Sequence, residues 1–241
     1  MWAAAGLVAL SFFTSMLTAS AGIGGGVILL SVMASLLPAI AVIPVHGVVQ
    51  LGSNAGRGFL MRAHLNQQVC GYFTAGSILG ALAGGKLYLD LPGAVLQALL
   101  GGFILAMVWL PKPHKHVIAN KAYSLVGLGS TFLTMFLGGT GPFVAAFLPP
   151  AHFGRQQTVA THAACMTAQH GLKVLVFGVL GFAFAAWLPL LVAMIGAGFA
   201  GTLSGRAVLM KLPEKVFGYA FKTILTLLAL RLLYHAAGTY W

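Results

Sequence analysis

Apolar residues run along this chain in long stretches, and the polar interruptions recur at intervals. Eight apolar segments fit the pattern: residues 4–30, 40–61, 69–89 and 93–110, then 122–148, 157–184, 186–209 and 214–235. Each approaches the roughly 20 residues that a helix needs to cross a bilayer. Between the two sets of four lies a hydrophilic stretch carrying Pro111, Lys112, Pro113, His114, Lys115, His116 and Lys121. The pattern predicts an all-α integral membrane protein of about eight transmembrane helices. A first membrane repeat covers 1–110, a basic linker 111–121 and a second membrane repeat 122–241.

The two halves match each other in order. A separation of 116 residues relates Gly22 to Gly138, His46 to His162 and Arg57 to Lys173. Further on the separation is 121, relating Gly80 to Gly201, Gly84 to Gly205 and Leu91-Pro92 to Leu212-Pro213. An insertion of five residues in the second half accounts for the change. The ordered series predicts two pseudo-symmetric repeats.

Each repeat opens with a glycine break inside an apolar run of helical length: Gly22-Ile23-Gly24-Gly25-Gly26, and Gly138-Gly139-Thr140-Gly141-Pro142. Glycine weakens a helix and lets backbone amides approach a ligand. In hydrocarbon the freed N–H groups need partners. A half-helix N-terminus at the midplane offers such groups to an anion. The candidate donors are Gly22, Gly24, Gly25 and Gly26 with Gly138, Gly139 and Gly141. Close helix packing through small residues is the competing explanation.

The second segment of each half carries a polar stripe. His46, Gln50, Ser53, Asn54 and Arg57 recur at helical spacing, and so do His162, Met166, Gln169, His170 and Lys173. Such a stripe is costly against lipid, so it should face the other repeat or a water-filled path. Lys173 is the only Lys or Arg between Arg155 and Arg206. Arg57 and Lys173 are expected to hold the anion, Arg57 through a two-pronged grip and Lys173 as a point charge. Snorkelling to the interface is the alternative for both. His46 and His162 suit a pH-dependent site. Together with His170, Cys165 and Met166 they also suit a soft metal in transit.

Composition narrows the choice. Apolar residues make up 59% and charged residues 6%, too few charges to cover a soluble domain. Thirteen Lys and Arg face two acids, Asp90 and Glu214, for a net charge of +11. The cations are scattered singly rather than gathered in a stripe, which argues against nucleic acid as partner. Few carboxylates remain for a metal cation or a proton relay. No Gly-x-Ser-x-Gly, His-Glu-x-x-His or acid pair points to an enzyme, and no cofactor motif is present. Cys70 and Cys165 lie within apolar runs and read as packing residues. Ala19-Ser20-Ala21 resembles a cleavage site, but no Lys or Arg precedes Arg57, so 4–30 reads as a membrane segment rather than a signal peptide. The basic linker places 111–121 in the cytoplasm. Four crossings per half would put both termini there too, yet leave Arg206, Lys211 and Lys215 near the opposite face. Re-entrant hairpins at the glycine breaks would change the parity and invert one half.

These features resemble the sulfite exporter TauE/SafE family, also called the toluenesulfonate uptake permeases. The glycine breaks match, as do the small-residue segments ending in Leu91-Pro92 and Leu212-Pro213. Val159-Ala160-Thr161-His162 matches an Ala-Thr-Ser-like motif with His in place of Ser. Pro44-Val45-His46 departs further, and Thr140 stands where Gly is usual. The resemblance implies an inner-membrane, multi-pass transporter of sulfite, organosulfonates or related sulfur anions. It further implies alternating access driven by an ion gradient, with a small anion, a coupling ion and the lipid bilayer as partners.

Overall fold

The structure, a computed structural model, describes residues 2–21, 24–88, 92–110, 118–208 and 214–238. Every regular element among them is helical: α1 (Trp2–Ala21), α2 (Gly25–Leu36), α3 (Ala39–Leu60), α4 (Gln67–Tyr88), α5 (Gly93–Trp109), α6 (Tyr123–Leu137), α7 (Gly141–Ala146), α8 (Pro150–Phe153), α9 (Arg155–Val179), α10 (Leu188–Val208) and α11 (Glu214–Gly238). Short 3-10 turns precede α4, α6 and α10. The apolar segments expected at 40–61, 69–89, 93–110, 157–184, 186–209 and 214–235 correspond to α3, α4, α5, α9, α10 and α11.

The two glycine-broken segments divide. The run expected at 4–30 becomes α1 and α2, and α2 continues to Leu36. The run expected at 122–148 becomes α6 and the short α7. Two glycines make the breaks possible. Gly24, the N-cap of α2, has φ 110, and Gly138, the C-cap of α6, has φ 74. A side chain is strained at both values.

Burial departs from that of a soluble protein in two ways: polar and charged side chains are buried beside the apolar core, and large apolar side chains lie on the outside. Buried residues include His46, Gln50, Asn54, Arg57, Gln169, His170 and Lys173, while Ile78, Leu82, Leu125, Leu175, Val192 and Leu203 are exposed. That arrangement suits hydrocarbon outside and a polar interior. Among the described residues, 2–19 and 184–205 are long and apolar enough to cross a membrane by length and composition alone. In α3 and α9 the buried polar stripe itself dilutes the apolar content.

Contacts between helices set their directions. Ser11 in α1 donates to the Met194 carbonyl in α10 at 2.7 Å, and Gly205 lies against Met16 and Ala19. Positions rise together, so α1 and α10 run parallel. Gly76 packs on Ser124, Gly80 on Leu128 and Gly84 on Met135, so α4 and α6 are also parallel. Gly52 and Gly56 meet Ile195 and Phe199, which makes α3 parallel to α10. α1 and α3 therefore point the same way, and the intervening α2 runs back between them. Gly47 meets Lys173 while Gly58 meets Ala163 and Ala164, so α3 and α9 are antiparallel. Gly101 against Leu233 and Trp109 bonded to Thr226 make α5 and α11 antiparallel as well.

Candidate functional site

The polar stripes meet where α3 crosses α9. There they enclose a cavity lined by Thr18, Gly24, Gly26, Val27, His46, Gln50, Asn54, Gly139, Gly141, Pro142, His162, Met166 and His170. Its free space for water-sized centres is about 40 Å³. A single water needs roughly 10–15 Å³ on that measure. The space therefore suits a compact solute of a few heavy atoms.

On the side of the second half, one face of α9 holds successive residues of the break. Lys173 Nζ donates to the Gly138 carbonyl at 2.8 Å, and Gln169 Nε2 donates to Thr140 Oγ1 at 2.9 Å. His162 Nε2 donates to the Gly141 carbonyl at 3.0 Å. Gln169 also accepts from Ser130 at 2.8 Å, and Thr140 donates to the Ser130 carbonyl at 3.1 Å. The Tyr123 hydroxyl bonds the Phe147 carbonyl beyond α7. Opening a helix in hydrocarbon frees backbone groups, and α9 and α6 supply their partners. The Thr140 hydroxyl thus donates to the Ser130 carbonyl and accepts from Gln169.

The first half has a similar but sparser brace. His46 Nε2 donates to the Gly26 carbonyl at 2.9 Å, and Asn54 Nδ2 donates to the Gln50 carbonyl at 2.8 Å. Gln50 packs against Gly26, where an added Cβ would come within 3.1 Å of Oε1. The N-terminal turn of α2 contributes Gly24, Gly26 and Val27 to the cavity wall. That end of a helix carries positive partial charge and favours anions. α7 has six residues and offers a far weaker dipole.

The cations behave differently from each other. Lys173 is fully buried, and its carbonyl partner is the C-cap of α6. A cation there is favoured by the helix dipole, by up to about 2 kcal/mol. Lys173 thus has a structural partner. Arg57 is also buried, with a contact from Nη2 to Ser53 Oγ at 3.5 Å. Its Nε and Nη1 have no hydrogen-bond partner. Neither cation is part of the cavity wall. Each lies three residues beyond a wall residue, Arg57 after Asn54 and Lys173 after His170.

Of the residues expected from sequence, the cavity gathers Gly24, Gly26, His46, Gln50, Asn54, Gly139, Gly141, His162 and His170. Gly25 packs on Thr14 and Thr18 of α1, Gly138 on Leu30, and Gln169 joins the brace. Gly22 lies outside the described residues. Thr18 and Val27 complete the wall without having been expected. A hydroxyl four residues before the break was the available signal for Thr18. Among the described residues no group of three or more His, Cys, Asp or Glu side chains is placed to hold a metal ion. His46, His162 and His170 do not come together as such a group.

Comparison with curated proteins and with solved structures finds no match. A family model described as "Sulfite exporter TauE/SafE" matches residues 7–232, nearly the whole chain. Membership implies a membrane transporter of sulfur anions. The chain belongs to the sulfite exporter TauE/SafE family.

Proposed function

We propose that the chain moves a small sulfur oxyanion across the cell membrane by alternating access, binding it in the cavity between α3 and α9. The observation that carries this reading is the cavity wall itself. It is built from matched residues of both halves, His46 and His162 above all, beside the N-terminus of α2. Arg57 and Lys173, one turn beyond the wall on either helix, make the surroundings electropositive without filling the space. The chain's only acids are Asp90 and Glu214, so a bound anion is a ready counter-charge. The free space favours sulfite or a similarly compact anion over an aryl sulfonate.

The repeats in this reading are 1–110 and 122–241, inverted relative to each other. α3 and α9 hold equivalent places and run antiparallel, as do α5 and α11. α1 with α2, and α6 with α7 and α8, act as hairpins that enter and return. Three crossings then remain per half, an odd number, which inverts the second half. The parity puts the α3–α4 connection with Arg62, the linker 111–121, and the α10–α11 connection with Arg206, Lys211 and Lys215 on one side. That gathering of cations agrees with a cytoplasmic location. Both termini then lie on the opposite side, unlike the count of four crossings per half.

Flux of radiolabelled sulfite into proteoliposomes holding the purified chain tests the function. Saturable accumulation of unmodified sulfite is expected. Flux no greater than in protein-free vesicles would remove the reading.

A further inference from the structure

We infer that binding of the anion loads one proton onto each of His46 and His162, which makes the proton the coupling ion. The inference rests on the reading of the cavity as an anion site. His46 Nε2 meets the Gly26 carbonyl at 2.9 Å, and His162 Nε2 meets the Gly141 carbonyl at 3.0 Å. A carbonyl only accepts, so Nε2 carries the hydrogen in both rings. In a neutral imidazole the other nitrogen, Nδ1, then has a lone pair and no hydrogen. Both Nδ1 atoms are buried and neither makes a hydrogen bond, although the Gly138 carbonyl also faces the His46 ring, and both rings line the cavity.

An anion's oxygens also only accept. Beside two neutral rings they would meet lone pairs and gain nothing. Protonation converts each Nδ1 into a donor, and the ring then satisfies the backbone carbonyl with one nitrogen and the anion with the other. The charged and titratable groups facing the rings are His170 and Lys173 for His46, and Arg57 and His170 for His162. The His46 and His170 rings lie edge to face, centroids 6.0 Å apart. Cys70 and Tyr123, from α4 and α6, pack around Cys165 in a cluster that also takes in Met166. α1, α2 and α5 carry no titratable side chain. The neighbours are therefore neutral or positive, and two imidazolium ions in an empty cavity would add to a buried positive charge. An anion offsets that charge. Proton and anion thus favour each other's binding by the same factor.

The test is titration calorimetry of the purified full chain with methanesulfonate, a strong-acid anion that does not itself titrate, and with sulfite alongside. Two buffers of different ionisation enthalpy give the protons taken up per anion, and a pH series gives the slope of log Kd. Above the pH at which the rings lose their protons, affinity should fall about tenfold per pH unit for each linked proton, so about a hundredfold for two. His46→Gln and His162→Gln keep a donor for the carbonyls and should each remove one proton. Wild-type binding with no proton uptake and no pH slope would overturn the link while leaving the anion site standing. Equal uptake in wild type and the double variant would also overturn it. Wild type that binds neither anion at any pH would overturn the anion reading, and the link with it.

Discussion

Gly127 and Gly129 lie two residues apart in α6 and should respond oppositely to alanine. A Cβ on Gly127 would fall inside van der Waals contact of the Phe73 carbonyl oxygen, and 3.1 Å from Phe73 Cα. The obstruction is the backbone of α4, which has no rotamer to change. α4 and α6 would have to separate, and Ser77, which donates to the Gly127 carbonyl at 3.4 Å, would lose its partner. Overpacking of this kind costs about 1–3 kcal/mol. Alanine recovers up to about 1 kcal/mol of helix propensity, which leaves a net loss. A Cβ on Gly129 meets nothing within 4 Å, so Gly129→Ala collects the propensity gain alone. The propensity gain is common to both, so the two variants should differ by the overpacking cost, about 1–3 kcal/mol, on the order of 2–12 °C in melting temperature for a chain of this size. Thermal unfolding of both proteins in the same detergent measures the difference. Equal melting temperatures would refute the close α4–α6 packing on which the helix directions depend.

Lys173→Met and Lys173→Gln both remove the charge, but only Gln keeps a donor for the Gly138 carbonyl. Lys173→Met should therefore be less stable by about 1–3 kcal/mol, read by thermal unfolding. Arg57→Gln should weaken sulfite binding by roughly tenfold to a hundredfold in calorimetry, and Arg57→Lys, which keeps the charge, by less. Cysteine-accessibility mapping in cells should find the linker and the α10–α11 connection on the cytoplasmic side and both termini on the other.

The positions of the helices were legible because long apolar runs leave few alternatives in a chain with so few charges. The cavity was legible through its stripes: His46, Gln50 and Asn54 share one face of α3, and His162, Met166 and His170 one face of α9. The direction of α2 was legible only as one option, a re-entrant hairpin at the glycine break. A glycine break marks where a helix stops, but the return follows only once α1 and α3 are both seen to parallel α10. The role of Lys173 was hidden for a similar reason. Its partner is the last carbonyl of α6, and sequence does not say where in space α6 ends. The Ser130–Gln169–Thr140 brace joins three parts of the second half, and no local pattern marks it. Gly25 and Gly138, expected as anion donors, lie outside the cavity wall, and their lack of a side chain lets α2 approach α1 and Leu30 approach the second break.

The central claim is that the anion sits in the cavity shared by the two halves. Selenite, the heavier analogue of sulfite, can be located by anomalous scattering in crystals of the full chain. The account predicts a peak between α3 and α9, within hydrogen-bond reach of His46 and His162 and beside Gly24 and Gly26 at the start of α2. A peak elsewhere in the protein, with this cavity empty at saturating selenite, would contradict it.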